Sequence, residues 1–421
     1  MIKKELRRVA SLMCLCVLSG LMTMTYAQHN TSSPYTRYGY GNIIDGGYGQ
    51  SRAMGGLSYG VRPSQYINAV NPASYTSIDS LTFRFEAGAS FQISDQKGSG
   101  VRSTSLNGNL EFLAFQFPIR KWVAFSVGLQ PVSVVGYEFS QTEEGYSSIS
   151  SGTLTTKYEY SGEGGVTQLY AGLGFKPFKW LAVGGNFQFN FGTISHSSKS
   201  TFSISSYHAT AMTQEISIKD ISGNFGLQAM IPLKENHNLT VGAVYQMKSS
   251  LNADATQTII TTDTTTLSYD NQFDLPMHIG VGVVYSYTDA LMVGIDYKRE
   301  FWNDVRFFGE KNFYNRDKFI VGMQYLPDAN GRAYFQRVAY RFGVNYSKSY
   351  YSVNGEQLNS FSLTTGWGFP LKRGLNPTRI NVTFEYGHNG VVSDTQIREQ
   401  YFKFTLNATI NERWFEKRKL N

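Results

Sequence analysis

Long stretches of strict alternation between apolar and polar residues constrain this chain more than any other feature. Residues 122–130 read WVAFSVGLQ, and residues 181–191 read LAVGGNFQFNF. The same period of two continues through residues 380–386 and 402–410. A period of two produces a strand with one apolar and one polar face. The chain is therefore predicted to be all-β.

Two architectures are compatible with this alternation. The apolar faces could meet in the core of a soluble sandwich, or they could face lipid around a transmembrane barrel with a polar lumen. The alternating segments 121–141, 179–203 and 238–260 can run for about 20 residues, whereas strands of soluble proteins usually have about 5–6. This length favours a transmembrane antiparallel β-barrel.

The connections between these segments alternate in length. Short turns such as FPIRKW, KPFKW and SYTDA are followed by longer polar loops such as TEEGYSSISSG and TQTIITTDTTT. Short turns on one side and long loops on the other are typical of the periplasmic and extracellular ends of an outer-membrane barrel. We predict about fourteen strands, within a range of twelve to sixteen that depends on whether residues 152–176 form one strand or two.

The N-terminus predicts export from the cytoplasm. Residues 1–8 carry four basic side chains, an apolar run follows to about Met24, and Thr25 and Ala27 fit a signal-peptidase site. We expect a signal peptide, residues 1–27, that is removed from the mature chain. A retained membrane anchor is the alternative. Both cysteines lie within this segment, so no disulfide is expected in the mature protein.

Signals for chemistry are weak. The six histidines are dispersed without metal-ligand spacing, and neither a G-x-S-x-G elbow nor a P-loop occurs. Basic residues are scattered through the chain instead of forming a stripe. We therefore predict no enzyme activity, no cofactor, no metal and no nucleic-acid partner.

Residues 28–79 differ from the rest of the chain. They are irregular and rich in Gly, Ser, Asn and Pro, yet they contain many large apolar and aromatic side chains. A barrel of about fourteen strands has a lumen that its own side chains cannot fill. We predict that this segment, called the hatch, lies inside the lumen, and a disordered periplasmic tail is the alternative. The expected organisation is signal peptide 1–27, hatch 28–79, barrel 80–411 and basic C-terminal tail 412–421.

Two motifs in the hatch resemble those of the FadL family of outer-membrane transporters for long-chain fatty acids and other hydrophobic compounds. They are RAMGG, residues 52–56, and NPA, residues 71–73. The opening SPYTRYGYG and the tail WFEKRKLN are similar to family members of the Bacteroidetes type. The resemblance implies a fourteen-stranded barrel, a gating hatch and a third strand with an inward kink that opens a lateral exit. The GEGG run at residues 162–165, a candidate for such a kink, falls in the fourth predicted strand instead.

Candidate ligand-binding or gating residues come from the hatch motifs and from charged residues on the polar face of the strands. Charges facing lipid near the bilayer centre cost about 2–4 kcal/mol, so they are expected to face the lumen. Two hypotheses describe these lumen charges. Either they pair with one another in a girdle, or one unpaired Arg or Lys binds the carboxylate head group of a ligand. The candidates are Arg52, Met54, Gly55, Gly56, Leu57, Asn71, Pro72, Ala73, Arg84, Arg341, Arg379 and Lys403.

Tryptophans near the predicted strand ends fit the interfacial girdles of a membrane barrel. They include Trp122 and Trp180, which follow short turns, and Trp302, which begins a long loop. The same loop contains several further aromatic residues, expected to be exposed for ligand capture or partner docking. These are Phe307, Phe308, Phe313 and Tyr314.

The favoured function is passive uptake of small hydrophobic, fatty-acid-like molecules across the outer membrane of a Gram-negative cell, gated by the hatch. The alternative is a structural or shuttle subunit of an outer-membrane protein-secretion system, which would add secretion-system proteins to the partners. In both cases the expected partners include outer-membrane lipid and, during biogenesis, the barrel-assembly machinery. The uptake function adds a hydrophobic small-molecule ligand.

Overall fold

The computed structural model describes residues 31–98, 102–147, 152–204, 206–251, 253–372, 377–390 and 397–413. They fold into a closed antiparallel barrel of fourteen strands, with residues 31–79 of the hatch inside it. The predicted fold class is confirmed. The predicted signal peptide and the end of the predicted C-terminal tail lie outside the described residues. No helix among the described residues is long and apolar enough to cross a membrane.

The first six strands of the wall are long and pair in chain order. The longest has 27 residues, well beyond the usual strand length in soluble proteins. The strands are β2 (Thr82–Lys97), β3 (Arg102–Arg120), β4 (Val123–Ser147), β5 (Gly152–Phe178), β6 (Leu181–Phe202) and β7 (Thr210–Lys234).

The next two crossings of the wall are interrupted. The strand predicted over residues 238–260 is divided into three. Residues 224–234 of β7 pair with β8, whereas residues 211–218 of β7 pair with β10. Between them, β9 pairs with β12 in a separate sheet. The following predicted strand is divided in the same way. The six pieces are β8 (His237–Gln246), β9 (Ser249–Leu251), β10 (Ala253–Ile260), β11 (Thr264–Asp270), β12 (Phe273–Leu275) and β13 (His278–Tyr287).

Six further strands close the barrel. The last strand, β19, pairs with β2 from Arg398–Lys97 to Arg413–Thr82, so the final strand extends to Arg413, two residues past the expected barrel end. The strands are β14 (Leu291–Glu300), β15 (Arg316–Tyr325), β16 (Ala339–Val353), β17 (Glu356–Pro370), β18 (Arg379–Asn389) and β19 (Arg398–Arg413).

The hatch contains little regular structure. It has one strand, β1 (Asn42–Ile43), one short α-helix, Gly49–Arg52, and two 3₁₀ helices, Pro34–Arg37 and Pro72–Ser77. Two more 3₁₀ helices lie in loops of the barrel, Trp302–Asp304 and Tyr334–Arg337. Many hatch side chains are fully buried, including Tyr40, Met54, Leu57, Ile67 and Tyr75. The hatch is therefore the core of the barrel.

The outward face of the strands carries the apolar band that the alternation predicts. Exposed large apolar residues on β2, β3 and β19 illustrate it: Phe91, Ile93, Leu106, Leu110, Phe402 and Leu406. Trp122 and Trp180 are also exposed, at 47% and 55%, at the short turns, as expected for girdle residues.

The expectation for Trp302 and its loop is wrong. Trp302 is only 1% exposed and stacks on Tyr350, with ring centroids 4.2 Å apart. It belongs to an apolar cluster with Tyr40 of the hatch, against which Phe307, Phe308 and Phe313 pack. The loop folds back onto the apolar inner side of β10 and β12, where Ala253, Ala255 and Phe273 belong to the same cluster. Only Tyr314 of the predicted aromatics is substantially exposed, at 43%.

Candidate functional site

A ring of inward-facing glycines holds the hatch against the wall. On nine consecutive strands, from β5 around to β17, a Cβ added to an inward-facing glycine would lie within 3.0 Å of a hatch atom, although at two of them, on β13 and β14, the nearest atoms belong to the wall. The residues are Gly174, Gly184, Gly226, Gly242, Gly282, Gly294, Gly322, Gly343 and Gly366. Because glycine lacks a side chain, another backbone can approach closely at these positions. We call this feature the glycine ring.

The closest approaches leave no room for a methyl group. A Cβ on Gly343 would lie 2.0 Å from the Gly55 nitrogen, and one on Gly242 would lie 1.9 Å from the Tyr59 carbonyl oxygen. A Cβ on Gly184 would lie 2.5 Å from the Pro72 carbonyl group. Real Cβ atoms do not approach other heavy atoms so closely, so the ring and the hatch are fitted to each other.

The NPA motif anchors the hatch to β6 and β7. The Asn71 side chain accepts a hydrogen bond from the Ala73 N–H at 3.2 Å and donates to the Tyr59 carbonyl oxygen at 2.7 Å. Asn71 thereby caps the 3₁₀ helix that begins at Pro72, whose ring fixes φ without needing a donor. Ala73 is fully buried. In this structure the motif has a structural role.

The RAMGG motif makes the tight turn that follows the short hatch helix. Gly55 and Gly56 have φ of +72° and +99°, which side chains other than glycine rarely adopt. Gly55 donates its N–H to the Thr364 hydroxyl at 2.9 Å. Met54 and Leu57 on either side are fully buried. The turn places the hatch against β15, β16 and β17.

The strongest electrostatic tie between hatch and wall is formed by Asp45. Its carboxylate lies 2.9 Å from Arg316, 2.6 Å from Lys318 and 3.1 Å from Lys298. Burial opposes ionisation, but the charges of Arg316, Lys318 and Lys298 outweigh it and hold the pKa of Asp45 well below its usual range. Glu300 completes the cluster at 2.5 Å from Lys298 and 3.3 Å from Arg316.

A second tie joins the hatch to β3 and β19. Glu111, inside the barrel, lies 2.6 Å from Arg52 of the hatch and 2.7 Å from Lys403 of the wall. The predicted candidates Arg52 and Lys403 therefore share one carboxylate. For Arg52 and Lys403 this is the pairing that the girdle hypothesis expects.

The remaining charged candidates contact neutral groups. Arg84 donates to the carbonyl oxygens of Ser64 at 2.6 Å and Tyr66 at 3.0 Å. Arg341 donates to Gln50 of the hatch at 3.0 Å. Arg379 donates to the carbonyl oxygens of residues 337 and 368. Within the described ranges, neither Arg341 nor Arg379 has a carboxylate at ion-pair distance.

The wall opens laterally between β3 and β4. Their pairing ends at Leu113–Leu129, and β4 then bulges at Pro131–Ser133 and pairs with the hatch strand β1 inside the barrel. Gly164 and Gly165 of β5, which pair with β4 just above the bulge, have φ of +106° and +147°. The inward kink thus starts in the third barrel strand, as the family resemblance implies, and the GEGG run supports it from the fourth.

A cavity of 270 Å³ lies beside this lateral gap. Its lining mixes apolar groups, such as Leu129 and Pro131, with the Glu111–Lys403 pair. Two further cavities of 180 Å³ and 150 Å³ lie between hatch and wall, and the larger is lined by Asp45, Arg316 and Lys318. The 180 Å³ cavity is mainly polar, whereas apolar groups predominate in the lining of the other two.

The predicted candidates do not converge on one site. The hatch residues are spread around the ring, Arg52 and Lys403 meet at Glu111, and Arg84, Arg341 and Arg379 lie apart. Sequence reasoning missed Asp45, Arg316 and the glycine ring. If the alternation of inward and outward residues had been followed along β15, it would have placed Lys318 inside the lumen. The repeated Val-Gly pairs in the strands were the signal for the ring.

The whole chain matches one known family. A family model described as BamG matches residues 1–421. No match is found among curated protein sequences.

Solved structures share the fold. The toluene transporter TbuX of Ralstonia pickettii has a TM-score of 0.58 at 16% identity, over 87% of this chain and 98% of TbuX. The toluene transporter TodX of P. putida gives 0.57 at 15% identity, over 89% of this chain and all of TodX. A FadL homologue of Pseudomonas aeruginosa gives 0.56 at 13% identity, over 88% of this chain and 99% of its own. The resemblance to the FadL family is confirmed for the fold.

Proposed function

The chain belongs to the BamG family, and on that premise we propose that it is a non-catalytic barrel subunit of the machinery that assembles proteins in the outer membrane. The name of the family points to the barrel-assembly machinery. This proposal builds on the alternative hypothesis of a structural subunit. It treats the assembly machinery as a complex to which this protein belongs, as well as the machinery that inserts this barrel into the membrane.

One observation carries the proposal: the hatch is fitted to the glycine ring on nine consecutive strands. A hatch that moved to release a ligand would have to leave most of these contacts together. It would also separate Asp45 from three buried cations, and breaking buried pairs of this kind costs about 3–5 kcal/mol. A hatch with these contacts suits a rigid support better than a gate.

Depletion of the protein from its native cells tests the proposal. We expect folded outer-membrane barrels, measured by heat-modifiable migration on gels, to fall several-fold while their unfolded precursors accumulate. A tagged copy purified in mild detergent should bring down the assembly machinery. Normal levels of folded barrels after depletion, together with isolation of the protein alone, would contradict the proposal.

Uptake of a small hydrophobic molecule is the second candidate, and the lateral gap with its 270 Å³ cavity favours it. The printed titles of TbuX and TodX describe toluene transporters. In this candidate a ligand would enter the cavity beside Glu111 and leave through the gap. The hatch could then stay in place.

A bulky side chain in the cavity separates the two candidates. Thr167→Trp fills the cavity, whereas Thr365→Trp, on the outward face of β17, leaves it open. The assembly proposal predicts equal uptake of radiolabelled toluene or fatty acid by cells carrying either variant. A tenfold loss of uptake with Thr167→Trp alone would establish transport.

A further inference from the structure

One segment of the wall has a neighbouring strand on one side only. Residues 102–108 of β3 pair with β2 as far as Arg102–Lys97, whereas the pairing of β3 with β4 ends at Leu113. Within the part of the chain that the structure describes, no strand pairs with the other edge of residues 102–108. This edge offers unused backbone N–H and C=O groups to a partner.

The opposite side of the lateral gap is already covered by the hatch. Ile44 donates its N–H to the Val132 carbonyl oxygen at 2.8 Å, and Asn42 of β1 pairs with Val134. The Thr36 hydroxyl hydrogen-bonds both the carbonyl oxygen and the N–H of Gly136, each at 3.1 Å. The hatch therefore replaces the lost backbone neighbour of β4. Its contact with residues 102–108 of β3 is between side chains, from the Ser32 hydroxyl to the Asn107 side-chain oxygen at 3.0 Å.

The lower part of the open edge, around Leu106, lies within the apolar band, and above it the outward-facing Arg102 forms an exposed ion pair with Asp95 at 2.8 Å. Leu106 is 66% exposed and pairs with Ile93, which pairs in turn with the exposed Phe402. Lipid tails cannot hydrogen-bond, so an unpaired backbone group facing them is unfavourable. An open edge here needs a partner that supplies donors and acceptors.

The side chains along the edge define that partner further. Leu106 faces outward, while Ser105 and Asn107 face inward. Among the residues that the structure describes, the Ser105 hydroxyl and the Asn107 amide nitrogen are buried without a hydrogen-bond partner. A neighbour with apolar residues outside and polar residues inside would match both faces. A lipid would match only the outer one.

We propose that the edge of residues 102–108 docks an amphipathic β-strand of another outer-membrane barrel protein by backbone pairing. A strand added there would continue the β2–β3 sheet, as in other cases of strand addition to an open edge. Seven residues of pairing correspond to about 24 Å of strand, which would run from the apolar band at Leu106 up to the polar rim at Arg102. This inference rests on the proposed function and identifies the surface through which it acts.

Photo-crosslinking in native cells tests the docking. The photoreactive residue benzoylphenylalanine replaces Leu106, or Thr104 if the first variant does not fold. The matched control replaces Leu363, which is 49% exposed and belongs to the same cross-strand row through Tyr386 and Phe402, but lies on a strand paired on both sides.

The expected result is an adduct at Leu106 with an outer-membrane barrel protein, whose crosslinked peptide maps to an alternating strand, and at least tenfold less at Leu363. Cysteine pairs between β3 and that strand should form disulfides with a period of two. Adducts with lipid only, or with a peptide outside a strand, would overturn the docking. If the assembly machinery still co-purifies in that case, the proposed function stands and only the docking surface is wrong.

Discussion

Replacing Gly184 by alanine is expected to loosen the hatch, whereas the same change at the neighbouring Gly185 is not. The new Cβ at Gly184 would lie 2.5 Å from the Pro72 carbonyl group of the hatch. Overpacking of this kind costs about 1–3 kcal/mol. At Gly185 the nearest atom is the Phe225 ring at 3.4 Å, an ordinary contact on the outer face, and Ala in place of Gly favours the strand by about 0.5–1 kcal/mol.

Two measurements check the pair of variants. Limited proteolysis should cleave the Gly184→Ala hatch at least several-fold faster than the wild type, and single-channel recordings should show ion conductance through the loosened lumen. The Gly185→Ala variant should match the wild type in both. Equal behaviour of the two variants would mean that the glycine ring does not hold the hatch.

Replacing Asp45 by asparagine is expected to destabilise the protein by about 3 kcal/mol, near the lower end for breaking a buried ion pair. The change leaves Lys298, Arg316 and Lys318 close together with Glu300 as the remaining carboxylate of the cluster. The low end of the range applies because the side chain is 21% exposed to the adjoining cavity. Denaturant unfolding in detergent measures the loss.

The control for Asp45 is Glu159→Gln, which removes the same charge from the exposed Lys157–Glu159 pair and should leave stability unchanged. Lys318→Met combined with Asp45→Asn should recover part of the loss. Because the neighbouring cations lower the pKa of Asp45, its contribution to the free energy of unfolding is fully present at any pH above the usual carboxyl pKa. This contribution is lost only as the pH falls through the lowered pKa. A stability of Asp45→Asn equal to wild type would show that the cluster does not tie the hatch.

The barrel could be predicted from the sequence because strand parity is a local property. Alternation placed Arg84, Arg341 and Lys403 inside the lumen, where the structure has them. The interruption of the strand 238–260 could not be predicted from the sequence. It arises because one part of β7 pairs with β8 and another part pairs with β10, and these pairings join residues distant in sequence. Trp302 was assigned to the surface because it lies near a strand end. Its burial depends on contacts with residues distant in sequence, such as Tyr40 of the hatch, which the local pattern does not reveal.

The candidate site shows the same division. The NPA and RAMGG motifs marked the correct part of the hatch, since their backbone requirements are local. Their partners are set by the path of the hatch around the lumen, which no local pattern contains. Asp45, for example, lies in an unremarkable stretch, IIDGG, and acquires its importance only from Lys298, Arg316 and Lys318 on two distant strands.

Hydrogen exchange of the hatch amides, followed by mass spectrometry on the folded protein in lipid nanodiscs, tests the central claim most directly. If the hatch is a fixed core, peptides from residues 48–76 will exchange as slowly as peptides from β16 and β17, and only through global unfolding. Exchange of the hatch through local opening, orders of magnitude faster than exchange of the wall, would contradict a fixed hatch and favour a gate.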